Sequence, residues 1–211
     1  MTPKPCPWTD AASPAAGCAI GRNATTQSEI FGWSIGVAYV AGFFILTGLA
    51  MRRAGTPVWI LGRPGQAPRV LGFLLGFVIL VLWPLVGNPW SGAMLWPGLA
   101  ALAALFALAS QAHMGRSWRV GTASGETGAL VTSGPFAWSR NPVFLGQIAL
   151  FWLSVPFGGG PMLVAAVLVT GSAIAQVRQE ETVMQEVPGW NVYAQRVPRW
   201  LGWPRWAGWA R

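Results

Sequence analysis

The chain has 211 residues, of which 53% are hydrophobic and only 9% charged, whereas soluble domains carry about 25% charged residues. So few charges cannot coat a water-soluble globule, which excludes an ordinary soluble enzyme and makes lipid the expected solvent. The net charge of +8 sits in short clusters between apolar runs, not along one stripe; this argues against nucleic-acid binding and for membrane topology signals. The 14 Trp agree, because Trp gathers at membrane–water interfaces. Lys4 is the only lysine among the 14 cations. That bias, with abundant Ala, Gly and Pro, points to a GC-rich bacterial gene.

Residues 1–29 contain Pro3, Pro5, Pro7 and Pro14 and lack the apolar region of a cleavable signal peptide. They are expected to form an extracytoplasmic segment. Cys6 and Cys18 lie in it, where an oxidising compartment permits a disulfide or leaves two free thiols. Three transmembrane helices are expected in residues 30–112. The first is the charge-free run 30–51, long enough to cross a core of about 30 Å. Runs 70–87 and 92–112 follow, joined by a short uncharged turn at 88–91. Gly32 and Gly36, and Gly72 and Gly76, repeat at Gly-x-x-x-Gly spacing. This is the pattern of a close helix pair, of a dimer seam, or of Gly scattered in a Gly-rich chain.

Two shorter apolar runs, 143–157 and 162–175, flank Gly158-Gly159-Gly160-Pro161. They read as a helical hairpin, or alternatively as a re-entrant one, with the second helix continuing to about Met184. The fold expected is therefore all-α, a polytopic membrane protein with about five transmembrane helices and a cytoplasmic C-terminal helical segment. Linkers 52–69 and 113–142 and the C-terminal tail hold twelve cations, against Lys4 and Arg22 elsewhere. Five spans put all three rich segments on one face. The positive-inside rule then places the N-terminus outside and the C-terminus in the cytoplasm of a bacterial inner membrane.

Chemistry is expected in residues 113–199. Pro135 and Pro142 fix their own φ and push the residue before each out of helix, while Gly134 permits close backbone approach. Asn141-Pro142 reads as a helix start with Asn as the cap. Arg140 thus stands beside a helix N-terminus, which favours an anion. Glu180 and Glu181 leave the last span on the same side, and as neighbours on a helix they point about 100° apart. One is expected to face a ligand and the other a structural Arg; the plain alternative is a solvated helix face. His113, the one histidine, reads as an acceptor base or as an interfacial residue. No cluster of His, Cys and carboxylates suggests a metal site. The Trp- and Arg-rich tail, residues 200–211, reads as an interfacial anchor or as a flap over the site.

Four elements in order carry a resemblance: Gly115-Arg116-Ser117-Trp118-Arg119-Val120; Ser133-Gly134-Pro135-Phe136 leading to Arg140-Asn141-Pro142; Glu180-Glu181; and Tyr193 before Pro198-Arg199. Over residues 110–200 the chain resembles the isoprenylcysteine carboxyl methyltransferase and phospholipid methyltransferase superfamily of integral-membrane enzymes. Phe144 stands where that pattern usually has Tyr. The resemblance implies S-adenosylmethionine as cofactor, bound by Gly134, Pro135, Arg140, Asn141, Glu180 and Glu181, with Arg140 and Glu181 as catalytic candidates. It implies a lipophilic or small acceptor, such as a lipid amine, a thiol or a carboxylate. Membrane lipid is the further partner expected, and the chain is expected to be a monomer or homodimer. Competing readings are a non-catalytic membrane scaffold and a small transporter. A transporter would place polar groups at mid-span, and spans one to three have almost none.

Overall fold

The structure is a computed structural model that describes the backbone of residues 14–54, 58, 67–87, 89–121 and 128–202, with side chains from residue 27 onward except that of Ala67. Cys6, the side chain of Cys18 and residues 203–211 of the tail lie outside the described residues. Five helices follow one another: α1 (Pro14–Ala54), α2 (Ala67–Leu82), α3 (Leu95–Met114), α4 (Pro142–Met184) and α5 (Trp190–Arg196). The described residues contain no strand. Four helical stretches are long and apolar enough to cross a membrane: Gln27–Ala54, Pro68–Leu85, Leu95–Ser117 and Pro142–Met184. α1 starts well before its apolar run, within the segment expected to be extracytoplasmic. Pro14 suits a first helical turn, and no proline follows it in the helix.

The 43-residue α4 is not straight. Gly159 has φ 66° and ψ −147°, between Pro156 and Pro161, a conformation that only Gly adopts cheaply. Trp152 Nε1 donates to Thr170 Oγ1 at 3.0 Å, although these residues would stand roughly 27 Å apart on a continuous helix. α4 therefore folds back on itself. Its arms, residues 142–158 and 160–184, run antiparallel and bring Asn141 beside Glu181. The turn between α2 and α3 is tied to this bend, since the Trp90 and Ser91 N–H groups both donate to the Pro156 carbonyl at 2.8 Å.

α4 is the hub, packed against α3, α2 and α1, and glycine makes the approach possible. Gly146 of the first arm lies against the backbone of Ala107 on α3; Gly72 and Gly76 of α2 receive Ser172 and Val169 of the second arm. Gly32 and Gly36 of α1 receive Phe157 and Leu80. Both Gly-x-x-x-Gly pairs thus form seams within one chain. An aromatic column continues the core: Phe43 meets Phe77 edge to face at 5.5 Å, and Phe77 stacks on Phe151 at 6.3 Å. Buried polar groups pin α1 to α3. Gln111 Nε2 donates to the Phe43 carbonyl and to Thr47 Oγ1, both at 3.0 Å, and Trp118 Nε1 donates to the same Thr47 at 3.1 Å. Outward faces carry large apolar side chains, among them Leu102 and Leu105, more than 60% exposed, as a lipid-facing surface does.

Gly146→Leu should break the α3–α4 seam, because its Cβ would meet main chain, which cannot swing aside. Over-packing of this kind costs about 1–3 kcal/mol, measurable as a lower melting temperature in detergent. Gly171→Ala, where an added Cβ meets nothing, should leave the melting curve unchanged or raise it.

Candidate functional site

The fold-back joins three pieces of sequence at the open end of the α4 hairpin. Pro142 opens the helix, but the Asn141 side chain makes no capping bond, contrary to the expectation for an Asn before a helix. Its Nδ2 donates instead to the Arg199 carbonyl at 3.0 Å and, at 3.5 Å, to Glu181 Oε1. Tertiary partners offered this amide two acceptors, and they displaced the local cap. The Asn141 N–H is taken by Ser139 Oγ at 3.1 Å.

Glu181 is the centre of the cluster and is buried. Arg199 grips its Oε2 at two points, through Nε at 2.9 Å and Nη2 at 2.6 Å. Arg140 Nη2 stands 3.2 Å from Oε1. Arg140 also lies over the Trp190 ring, 5.6 Å from its centroid, and Nη1 donates to the Ala194 carbonyl at 3.3 Å. Its main-chain N–H donates to the Pro198 carbonyl at 3.0 Å. The anion expected beside Arg140 is thus the chain's own Glu181, which meets the guanidinium at Nη2 alone, while Nε is buried without a hydrogen-bond partner. α5 is strapped on by the same bonds and by Tyr193, whose hydroxyl donates to the Phe136 carbonyl at 2.7 Å. Burial holds the Tyr193 phenol well above its ordinary pKa, with the Arg140 charge opposing. The hydrogen bond to Glu181 raises that of Arg199 further.

Next to this clamp lies a cleft holding about 940 Å³ of empty space, its open mouth included. Arg140, Asn141, Glu180 and Glu181 line it, together with Trp118, Arg119, Phe136, Phe144, Trp190 and Tyr193. The two glutamates divide as their helical spacing predicts. Glu181 faces the arginines, and Glu180 faces the cleft with Oε1 accepting from Gln176 Nε2 at 2.9 Å. Among the described residues, no cation comes within ion-pair distance of Glu180. Phe144 stacks on Phe73 at 5.8 Å.

Some expected residues fall elsewhere. Gly134 and Pro135 do not line the cleft; their short turn, Gly134–Ala137, presents Phe136 instead. Gly134, at φ 59°, lies under the His113 ring. His113 pairs with Ser133 Oγ at 3.0 Å and stacks on Phe136, outside the cleft wall. Trp190 was not singled out in the sequence, since nothing marks one Trp among fourteen. Trp118 and Arg119 lay within the quoted motif without an assigned role. No group of three or more His, Cys, Asp or Glu among the described residues could hold a metal.

Compared with models of known families, with curated proteins and with solved structures, the chain finds no match.

Removing either arginine tests the clamp. Arg140→Ala, at a side chain only 13% exposed, leaves Oε1 of a buried carboxylate with only the long Asn141 contact and should cost about 1.5–3 kcal/mol. Arg199 is 45% exposed, so solvent screens its loss, and Arg199→Ala should cost no more than about 1 kcal/mol. Thermal melts of the two variants in detergent give the order.

Proposed function

We propose that the chain is a membrane-embedded methyltransferase using S-adenosylmethionine, acting on a lipophilic or membrane-associated small acceptor. One observation carries this reading: all four resembling sequence elements send residues to one cleft, namely Trp118 and Arg119, then Phe136, Arg140 and Asn141, then Glu180 and Glu181, and then Tyr193. That cleft opens where the polar linkers meet the apolar hairpin. When bound, the cofactor supplies an electrophilic methyl group. The protein's share is mainly placement of the acceptor in line with it, since holding two reactants together removes much of the barrier.

In this reading Arg140, Asn141 and Glu181 are positioning residues. Their mutual bonds fix the mouth of the hairpin and hold α5 over it. Glu180 is the carboxylate left for a ligand, and Arg119 is the second cation on the wall. Phe144, Phe136 and Trp118 give the cleft an apolar lining that excludes water from the transfer. Glu181 takes Nη2 of Arg140 and the Ala194 carbonyl takes Nη1, so those two nitrogens hold the chain before they hold a cofactor carboxylate.

The hairpin arms are taken as two crossings, which with the other three apolar helices makes five. The cation-rich linkers and tail then share the cytoplasmic face of a bacterial inner membrane, with the N-terminus outside. A reporter fused after Arg211 should behave as cytoplasmic, and a periplasmic signal would overturn this count.

A scaffold without activity is the second reading, and the closure of Arg140 and Arg199 on Glu181 favours it. Thermal melting with S-adenosylhomocysteine separates the two. An enzyme should be stabilised by about 2.7 kcal/mol at a hundredfold excess of ligand over its dissociation constant, and should transfer a labelled methyl group to a lipid extract, a thiol panel or a prenylcysteine. A chain that neither shifts with millimolar ligand nor labels any acceptor is the scaffold.

A further inference from the structure

A second cavity adjoins the first. It holds about 670 Å³ of empty space, its open mouth included, and shares Trp118, Arg119, Gly121, Phe144 and Glu180 with the cleft. Its other walls are mostly apolar, built by Phe43 and Phe44 of α1 and by Val70, Phe73, Leu74 and Phe77 of α2, with the Gln147 and Gln176 amides beside them. Phe44 and Leu74 are also 45% and 47% exposed, so the groove opens between α1 and α2 on the lipid-facing side. The two cavities thus share a wall, and Glu180 belongs to it.

The charges there are unbalanced in a specific way. Glu181 has two arginines, while Glu180 has only the Gln176 amide. Arg69 acts on Glu180 electrostatically without closing to ion-pair distance. Arg119, the one cation on the shared wall, spends Nη1 on the carbonyls of Arg116 and Trp118 at 2.8 Å. A carboxylate beside apolar walls without a counter-ion is costly, and a ligand carrying a positive charge removes that cost. A ligand carboxylate would meet like charge. An alcohol or thiol could donate a hydrogen bond but would leave the Glu180 charge without a counter-ion.

We infer that the groove binds a long-chain primary amine, its hydrocarbon tail between Phe44, Phe73 and Leu74 and its ammonium on Glu180. This rests on the methyltransferase reading only in taking the amine to be the acceptor; the binding itself is independent of it.

Equilibrium binding of radiolabelled decylamine, decanol and decanoate to the full-length protein in phosphatidylcholine nanodiscs, corrected with empty nanodiscs, tests the inference. Decylamine should bind saturably and at least about tenfold more tightly than decanol, the difference expected for one charge-assisted contact; decanoate should not bind. Glu180→Gln, which keeps the side-chain shape, should reduce decylamine to the level of decanol. Leu74→Trp should weaken amine and alcohol alike, since it fills the tail groove. Decanoate binding as tight as decylamine, or decylamine binding unchanged in Glu180→Gln, would overturn the assignment. Competitive displacement of decylamine by S-adenosylhomocysteine would give Glu180 to the ammonium of the cofactor and overturn it too. Stabilisation by S-adenosylhomocysteine with no saturable decylamine binding removes the amine site and leaves the methyltransferase reading standing; the reverse pattern removes only that reading.

Discussion

The backbone at Gly159 decides where everything else lies. A single residue at positive φ turns a 43-residue helix back along itself, and only then do Asn141 and Glu181, forty positions apart, come within reach. A side chain with a Cβ would be strained there. The hairpin supplies the hub against which the other three long helices pack. Its open end supplies the mouth of the cleft, and its closed end receives the turn between α2 and α3.

The clamp at that open end illustrates how a partly dry setting changes the worth of an ion pair. Glu181 is bound by two guanidinium groups and an amide, so its charge is satisfied several times over. Surface pairs contribute little because water competes and the side chains must be ordered. Here Arg140 is ordered already by Trp190 and by the Ala194 carbonyl, which lowers the entropy lost in pairing. The same groups hold the short α5, which is too brief to be stable alone. Electrostatics at the mouth and the shape of the cleft are therefore one construction.

Much of the fold was legible because lipid imposes a simple rule: apolar runs of sufficient length become helices, since every backbone group must be satisfied within the segment. The runs beginning near residues 30, 70, 92 and 143 were readable for that reason, and so was the break at Gly158-Gly159-Gly160. The early start of α1 was not, because helix at Pro14 needs no apolar pattern. In the site, the divergence of Glu180 and Glu181 followed from helical geometry alone. The partner of Arg140 did not: a free anion site and an internal ion pair have the same local sequence, and the choice depends on where residue 181 returns in space. Asn141 failed as a cap for the same reason. Gly134 and Pro135 looked like wall residues because they shape a turn, but a turn aims the side chain that follows it, and that is Phe136.

The Pro156 carbonyl, shared by the N–H groups of Trp90 and Ser91, bears on the order of assembly. Residues 89–91 leave the ribosome long before residue 156. Until the hairpin arrives, the two N–H groups must find water, and the α2–α3 turn must sit where water is available. Once the bend docks, the three polar groups satisfy one another and the turn is sealed. The C-terminal hairpin thus completes the N-terminal helices as well as adding to them, so a nascent chain truncated before the bend would carry its α2–α3 turn in an open, hydrated form.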